Sequence, residues 1–416
     1  MNAILAQLKE EKFLLLAIIA ACVAYPLEHT MLSHGHSVAL ISGIALIAAI
    51  ICASLRVAHH AELLAHKVGD PYGTMILTLA AVLVEVVILG IMMSNEPSPT
   101  LVRDTIYSAV MLDINGILGL AALMGGLKHG EQSYNDDSAR SYSVMILTAM
   151  GVSMVVPEFI PEGDWKLYSG FTIGAMLLLY GLFLRMQVGP HSYFFSYSYP
   201  EKKRRRDVPA TAAARALDST SASAAPIAAP NTAPIAETNA APTAAPNTAP
   251  TAAATGVASA EEEPGVNLGL SIGLLVFGVV VIGALAEVMS KAMDLGLEGS
   301  GAPPVVTAIL VAAISAAPEI LTALRAALAN RMQSVVNIAL GASLSTVILT
   351  VPVMEGLALY SGQPFQMAMT PVQTVMIFIT LLVSAINLND GETNAIEGMT
   401  HFVLFATFIM LSLLGL

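Results

Sequence analysis

Two glutamates stand in apolar stretches that otherwise carry no charge. Glu85 closes the run PYGTMILTLAAVLVE (residues 71–85), and Glu319 closes PVVTAILVAAISAAPE (residues 304–319). Both runs read Pro-x-x-Thr-x-Ile-Leu before the acid, through Thr74, Ile76 and Leu77 in one and Thr307, Ile309 and Leu310 in the other. Apart from Glu85, no residue between Asp70 and Glu96 is charged. An acid inside an apolar run of membrane length costs on the order of 3 kcal/mol on insertion scales, so its presence implies a task. A carboxyl there can hold a cation when ionised and a proton when neutral. Two of them at matching places in two halves imply one binding site built from both. Pro318 removes a helix hydrogen bond just before Glu319 and is expected to free a carbonyl oxygen for a cation.

Other polar residues form a second rank. Ala61-Glu62-Leu63 precedes the first run and Ala286-Glu287-Val288 the second. Glu62 and Glu287 lie near the ends of their segments, where they face a loop or give ions access. Asp113 and Asn115, in MLDINGIL, sit in mid-span, and a buried carboxylate such as Asp113 needs a partner. Their counterpart in the second half is the hydroxyl-rich LGASLST, with Ser343, Ser345 and Thr346. Serines of this kind more often permit close helix packing than bind ions, so Ser343 and Ser345 are supporting candidates. His59, His60, Glu62 and His66 in VAHHAELLAHK invite a metal reading, but no HExxH pair is present and no other catalytic constellation appears in the apolar spans. An intramembrane metalloenzyme is disfavoured. His29, His34 and His36 read as solvated loop histidines.

The elements that must position these groups are membrane helices. Hydrophobic residues make up 56% of the 416 and charged residues only 12%, in apolar runs longer than soluble helices need. Hydropathy marks eleven spans, near residues 13–27, 37–55, 74–93, 105–127, 142–160, 167–184, 266–290, 302–324, 333–354, 369–388 and 398–416. The first is short enough to suggest a signal peptide, yet Tyr25, Pro26, Leu27, Glu28 and His29 stand where small residues would mark a cleavage site, which favours an uncleaved span. Cys22 and Cys52 lie in apolar runs and read as small buried hydrophobes. With the N-terminus in the cytoplasm, fifteen of the 18 Lys and Arg residues fall inside, and only Arg103, Lys166 and Lys291 fall outside. That is a strong positive-inside bias.

Residues 189–265 interrupt this pattern with KKRRR (202–206), an Ala/Pro/Thr-rich tract containing APNTAP twice, and Glu261, Glu262 and Glu263. Such a tract buries too little to offset ordering entropy and is expected to be a disordered cytoplasmic linker. Its basic run reads as a topology anchor, with attachment to anionic lipid as the alternative. The chain therefore divides into a peripheral N-terminal helix (1–36), a five-helix unit (37–188), the linker (189–265) and a second five-helix unit (266–416). Five is odd, so the second unit must insert upside down relative to the first.

GDPYGTMILTLAAVLVEVVILG and SAAPEILTALRAALANRMQSVVNIALGASLSTVILTVPV resemble the two α-repeats of bacterial cation/proton antiporters in the calcium/cation antiporter superfamily, in particular of members that exchange sodium, potassium or calcium for protons. The likeness runs from about Arg56 to Leu416 without the linker. It implies that Glu85 and Glu319 match the two essential repeat glutamates, and that the fold is all-α, with one extra N-terminal helix plus two inverted five-helix repeats. The chain departs from the calcium exchangers, which carry Gly-Asn-Ala before each glutamate. Here Val82-Leu83-Val84 and Ala316-Ala317-Pro318 stand there, so two amide side chains are missing from a site that for calcium takes six to eight oxygens. The acidic helix between the halves is reduced to Glu261–Glu263.

The resulting expectation is a secondary antiporter, not an enzyme. Ca²⁺ or Na⁺/K⁺ leaves the cytoplasm as protons enter, with Glu85 and Glu319 holding either cation or protons. The alternative is a passive cation channel with an acidic constriction. No cofactor is implied beyond the transported ions. The partners are the lipid bilayer, inorganic cations and protons; nucleic acid is not expected, and a homo-oligomer is compatible with the sequence. The expected location is a bacterial inner membrane, with N-terminus and linker cytoplasmic and C-terminus periplasmic.

Overall fold

A computed structural model describes residues 11–68, 72–95, 98–161, 163–188, 268–362 and 365–416. The linker with its basic run and Glu261–Glu263, together with Asp70 and Pro71, lies outside the described residues. Among the described residues the chain is helical, apart from two short strands.

Among the described residues nine helices are long and apolar enough to cross a bilayer. Span 1 is Lys12–Ser33, span 2 His36–Val68, span 3 Tyr72–Asn95, span 4 Leu101–His129, span 5 Asp136–Phe159, span 6 Trp165–Val188, span 7 Leu268–Leu297, span 9 Met332–Ser361 and span 11 Ala395–Leu413. Span 8 is a helix pair, Val305–Ser315 and Ala317–Leu328, bent by 57°. Span 10, Pro371–Asn387, has 17 residues and so reaches about 25 Å. Nine membrane-length helices, the bent pair and this shorter apolar helix stand where hydropathy marks eleven runs, in an all-α polytopic membrane protein, the only economical way to satisfy so much backbone in lipid.

The directions of the spans can be read from their contacts. Leu40 packs on Gly296, Met293 on Gly43 and Val57 on Gly278, so as numbers rise along span 2 they fall along span 7. These two spans, each opening one half of the chain, run antiparallel. At Gly296 a Cβ would stand 2.7 Å from the backbone of Leu40, so only glycine permits this approach, the small-residue packing that brings membrane helices together.

Contacts between span ends sort onto two sides as strict alternation demands. On the side where residue 11 lies, strand β1 (Gln132–Ser133) pairs antiparallel with β2 (Glu392–Thr393), His129 meets the Leu328 carbonyl at 2.9 Å, and Arg56 pairs with Glu11. On the opposite side Arg103 donates to the Ala368 carbonyl, the Gln366 N–H donates to the Pro99 carbonyl, and Tyr25 donates to Glu287.

Burial places the spans in layers. Spans 4 and 9 are the most enclosed, 67% and 72% buried over their apolar windows, against 17% and 22% for spans 1 and 6. Spans 1 and 6 turn Leu16, Ile19, Leu167 and Leu178 outward, a surface suited to lipid and not to water. The two most enclosed spans are also irregular at their centres. Each widens into a π segment, Leu112–Leu118 in span 4 and Thr346–Thr350 in span 9, and such segments gather at functional sites.

Candidate cation site

Glu85 sits on the unbroken helix of span 3 and is 2% exposed. Its Oε2 accepts hydrogen bonds from Thr346 at 3.1 Å and Thr350 at 3.2 Å, the first and last residues of the π segment of span 9. Its Oε1 is buried and without a partner among the described residues. An acid from the first half is therefore held by hydroxyls from the second.

Glu319 occupies the first turn of the second half of span 8, just past the bend. An acid suits that end of a helix, where backbone N–H groups are unpaired and the dipole is positive. Its own backbone hydrogen-bonds the carboxyl, and its Oε2 is buried without a partner among the described residues. The motif preceding it has one residue more than the first copy, since Pro304 to Glu319 spans 15 steps (319 − 304) and Pro71 to Glu85 spans 14 (85 − 71). The extra residue falls between Leu310 and Glu319, the stretch that contains the break at Ala316. Pro318 lies in the first turn after the break, where a missing N–H costs little. Pro318 has no N–H to offer the Ile314 carbonyl, and the Ala316 N–H donates to the Ala312 carbonyl at 3.0 Å.

Asp113 lies in the π segment of span 4, 2% exposed, and its Oδ2 accepts from Ser343 at 3.2 Å. It is within electrostatic reach of Glu319 and Glu85, as Glu319 is of Glu85. The spacing repeats between halves: Glu319 follows Glu85 by 234 residues (319 − 85), and Thr346 follows Leu112 by 234 (346 − 112). Each repeat acid thus stands near the other half's π segment. Three carboxyls and the hydroxyls of Ser343, Thr346 and Thr350 converge, though among the described residues no three acid, histidine or cysteine side chains are close enough to grip one metal ion together.

The remaining sequence candidates are placed elsewhere. Asn115 donates to Thr380 at 2.8 Å and its Oδ1 meets His401 at 3.0 Å, so it bridges to spans 10 and 11 and not to the acids. Ser345 bonds back to the Gly341 carbonyl of its own helix. Glu62 is half-buried near the end of span 2 on the side of residue 11. Glu287 is toward the opposite side, bonded by Tyr25 at 2.8 Å and Lys291 at 3.3 Å. His60 approaches Glu11 at 3.2 Å, and Cys22 and Cys52 are free thiols. Thr350 escaped sequence reasoning. Its signal was the four-residue spacing from Thr346, which puts both hydroxyls toward one face of a helix.

An all-helical membrane fold whose halves open on antiparallel helices, each lending a buried acid to a shared centre, belongs with inverted-repeat membrane transport folds. The family described as sodium/calcium exchanger protein matches residues 37–189 and 270–414, and the chain belongs to it. It is 27% identical over 363 residues to the sodium-potassium/proton antiporter ChaA of Escherichia coli, covering 87% of this chain and 86% of that one. To a Ca²⁺/H⁺ antiporter of Aphanothece halophytica it is 22% identical over 323 residues, covering 76% and 74%. The solved structure of native YfkE superposes with a TM-score of 0.65 at 17% identity, covering 96% of this chain and 99% of that one, a likeness of fold.

Proposed function

We propose that this protein is a secondary antiporter that exports a cytoplasmic cation, Ca²⁺ or Na⁺/K⁺, in exchange for protons, and that Glu85 and Glu319 are the groups for which the two compete. The observation that carries the reading is one oxygen on each acid: Oε1 of Glu85 and Oε2 of Glu319 are buried and have no hydrogen-bond partner among the described residues. Buried ionised acids need a counter-charge, and protons or a cation supply it. The centre therefore holds one or the other, which is the requirement for exchange. Paired acids titrate as a unit, so both belong to one event. Asp113 supports the pair, with Ser343 as its donor. Thr346 and Thr350 offer hydroxyl oxygens beside Glu85 in place of the amides absent before each glutamate, toward the six to eight that calcium takes. Glu62 and Glu287, toward opposite sides, serve ion access. Relatives named as proton antiporters for sodium, potassium and calcium support the same class.

The protein lies in a bacterial inner membrane, with residue 11 and the linker cytoplasmic and Leu416 outside. The excess of Lys and Arg on that side supports this orientation. The test is flux in proteoliposomes with Ca²⁺, Na⁺ and K⁺ side by side. Exchange with reciprocal proton movement is expected, and Glu85→Gln and Glu319→Gln should each abolish it. The double variant should be scarcely worse than either single one, because residues acting as a unit are non-additive. Cation passage without reciprocal proton movement, or robust exchange in either variant, would overturn the reading.

A further inference from the structure

One buried carboxyl has no part in the central pair. Glu355 stands on span 9, 2% exposed, with Oε2 buried and without a hydrogen-bond partner among the described residues. It lies five residues beyond Thr350, about 7.5 Å along the axis toward the outer end. Span 6 packs on this stretch, and its first two turns bring Ser169, which hydrogen-bonds the carboxyl, and Tyr168, within electrostatic reach of it. Span 3 also packs here, and its one acid is Glu85, bonded to Thr346 and Thr350. No Lys, Arg or His among the described residues pairs with Glu355.

These neighbours decide what the group can carry. One carboxyl and one serine hydroxyl supply far fewer oxygens than the six to eight of a calcium site, and no fixed cation compensates an ionised form. A proton needs a single oxygen and leaves the buried group neutral. An acid kept in a membrane span without a charge partner marks an ion or proton route by default. Thr350, bonded to Glu85, lies between the two acids along span 9.

We propose that Glu355 is a proton-relay carboxyl that passes protons between the outer side and the central acids. In each transfer an O–H bond breaks on the donor oxygen and forms on the acceptor, and no other bond changes. The relay rests on the antiport reading and adds a third proton-carrying group to it.

Glu355→Gln, Glu355→Asp and Ser169→Ala are compared with the parent in proteoliposomes. Glu355→Gln should slow exchange roughly tenfold or more when outer pH is high and protons are scarce, since a positioned acid–base group contributes at least that much. The deficit should close as outer pH falls, with the half-saturating cation concentration unchanged. Glu355→Asp should retain the parent's pH profile. Ser169→Ala, which keeps the acid, should give a smaller change of the same sign. Infrared difference spectra on acidification should show a protonated-carboxyl band that Glu355→Gln removes and Glu85→Gln leaves. An unchanged rate and pH profile in Glu355→Gln overturns the relay, as does a loss equal at every pH, or a Glu355 band displaced by adding cation at fixed pH. A parent without proton-coupled exchange would strike the antiport reading instead, and the infrared band would still report on Glu355.

Discussion

Thr350→Val isolates the contribution of span 9 to the cation site. The substitution keeps the side chain's shape and removes the hydroxyl that donates to Glu85 Oε2 at 3.2 Å. A hydrogen bond to an ionised acceptor contributes about 1.5–3 kcal/mol. Two hydroxyls share this one oxygen, so the remaining Thr346 bond at 3.1 Å offsets part of the loss and the lower figure applies. About 1.4 kcal/mol is a factor of ten. The ionised carboxyl, the form that holds a cation, loses most, so the half-saturating cation concentration at fixed pH should rise roughly tenfold. The maximal rate at saturating cation should persist, because Glu85 itself remains. Raising the pH should recover part of the loss by removing the competing proton. Thr350 is fully buried and Thr346 is 7% exposed, so water can substitute in part at Thr346, and Thr346→Val should be milder. A Thr350→Val protein with normal insertion and an unchanged half-saturating concentration would refute the assignment, and so would a fall confined to the maximal rate.

Two further predictions concern stability. Burial pushes the Glu11 carboxyl up, but the hydrogen bond and charge of Arg56, with His60 beside it, outweigh burial and hold it below the ordinary carboxylate value. A group held down in this way stabilises the fold above its unfolded value and loses that contribution as pH falls through the lowered one. Arg56→Gln should therefore cost about 1 kcal/mol or less at neutral pH and nothing in strong acid; melting temperatures that differ from the parent's equally at all pH would contradict it. At Gly398 a Cβ would fall on the backbone of Leu123, where spans 4 and 11 cross, whereas at Gly170 nothing lies within 4 Å. Gly398→Leu should lower stability by about 1–3 kcal/mol and Gly170→Leu should not, measured as melting temperature in detergent; equal behaviour would show that the close approach carries no weight.

The parts legible in the sequence were those carried by composition. Eleven apolar runs and two lone acids need no geometry to be seen, because charge is so scarce around them. Which polar side chains join the acids was harder, since that depends on rotation about a helix axis. Asp113 and Asn115 are two residues apart, and positions i and i+2 do not face one another on a helix. The structure accordingly sends Asp113 to Ser343 and Asn115 to Thr380 and His401. Ser343 and Ser345 part company for the same reason. The π segments were invisible to hydropathy, as they alter hydrogen-bond register without altering composition. Glu355 lies one residue past the hydropathy bound of span 9 at 354, and the helix in fact continues to Ser361. The bend in span 8 did leave a mark, the one-residue difference between the two Pro-to-Glu spacings.

Each repeat acid is answered by a π segment of the opposite half, Glu85 by Thr346 and Thr350, and Glu319 by the segment that carries Asp113. Neither half completes its own surroundings. Any movement of one half against the other therefore changes the environment of both acids at once, and with it the balance between cation and proton. A passive pore needs no such reciprocity, since its acids need only remain open to a file of ions. In an antiporter the reciprocity is the coupling itself. On the proposed reading, a site whose ligands come from both halves cannot rearrange at one acid and leave the other in place, so occupancy by cation or by protons would decide which arrangement of the halves is favoured.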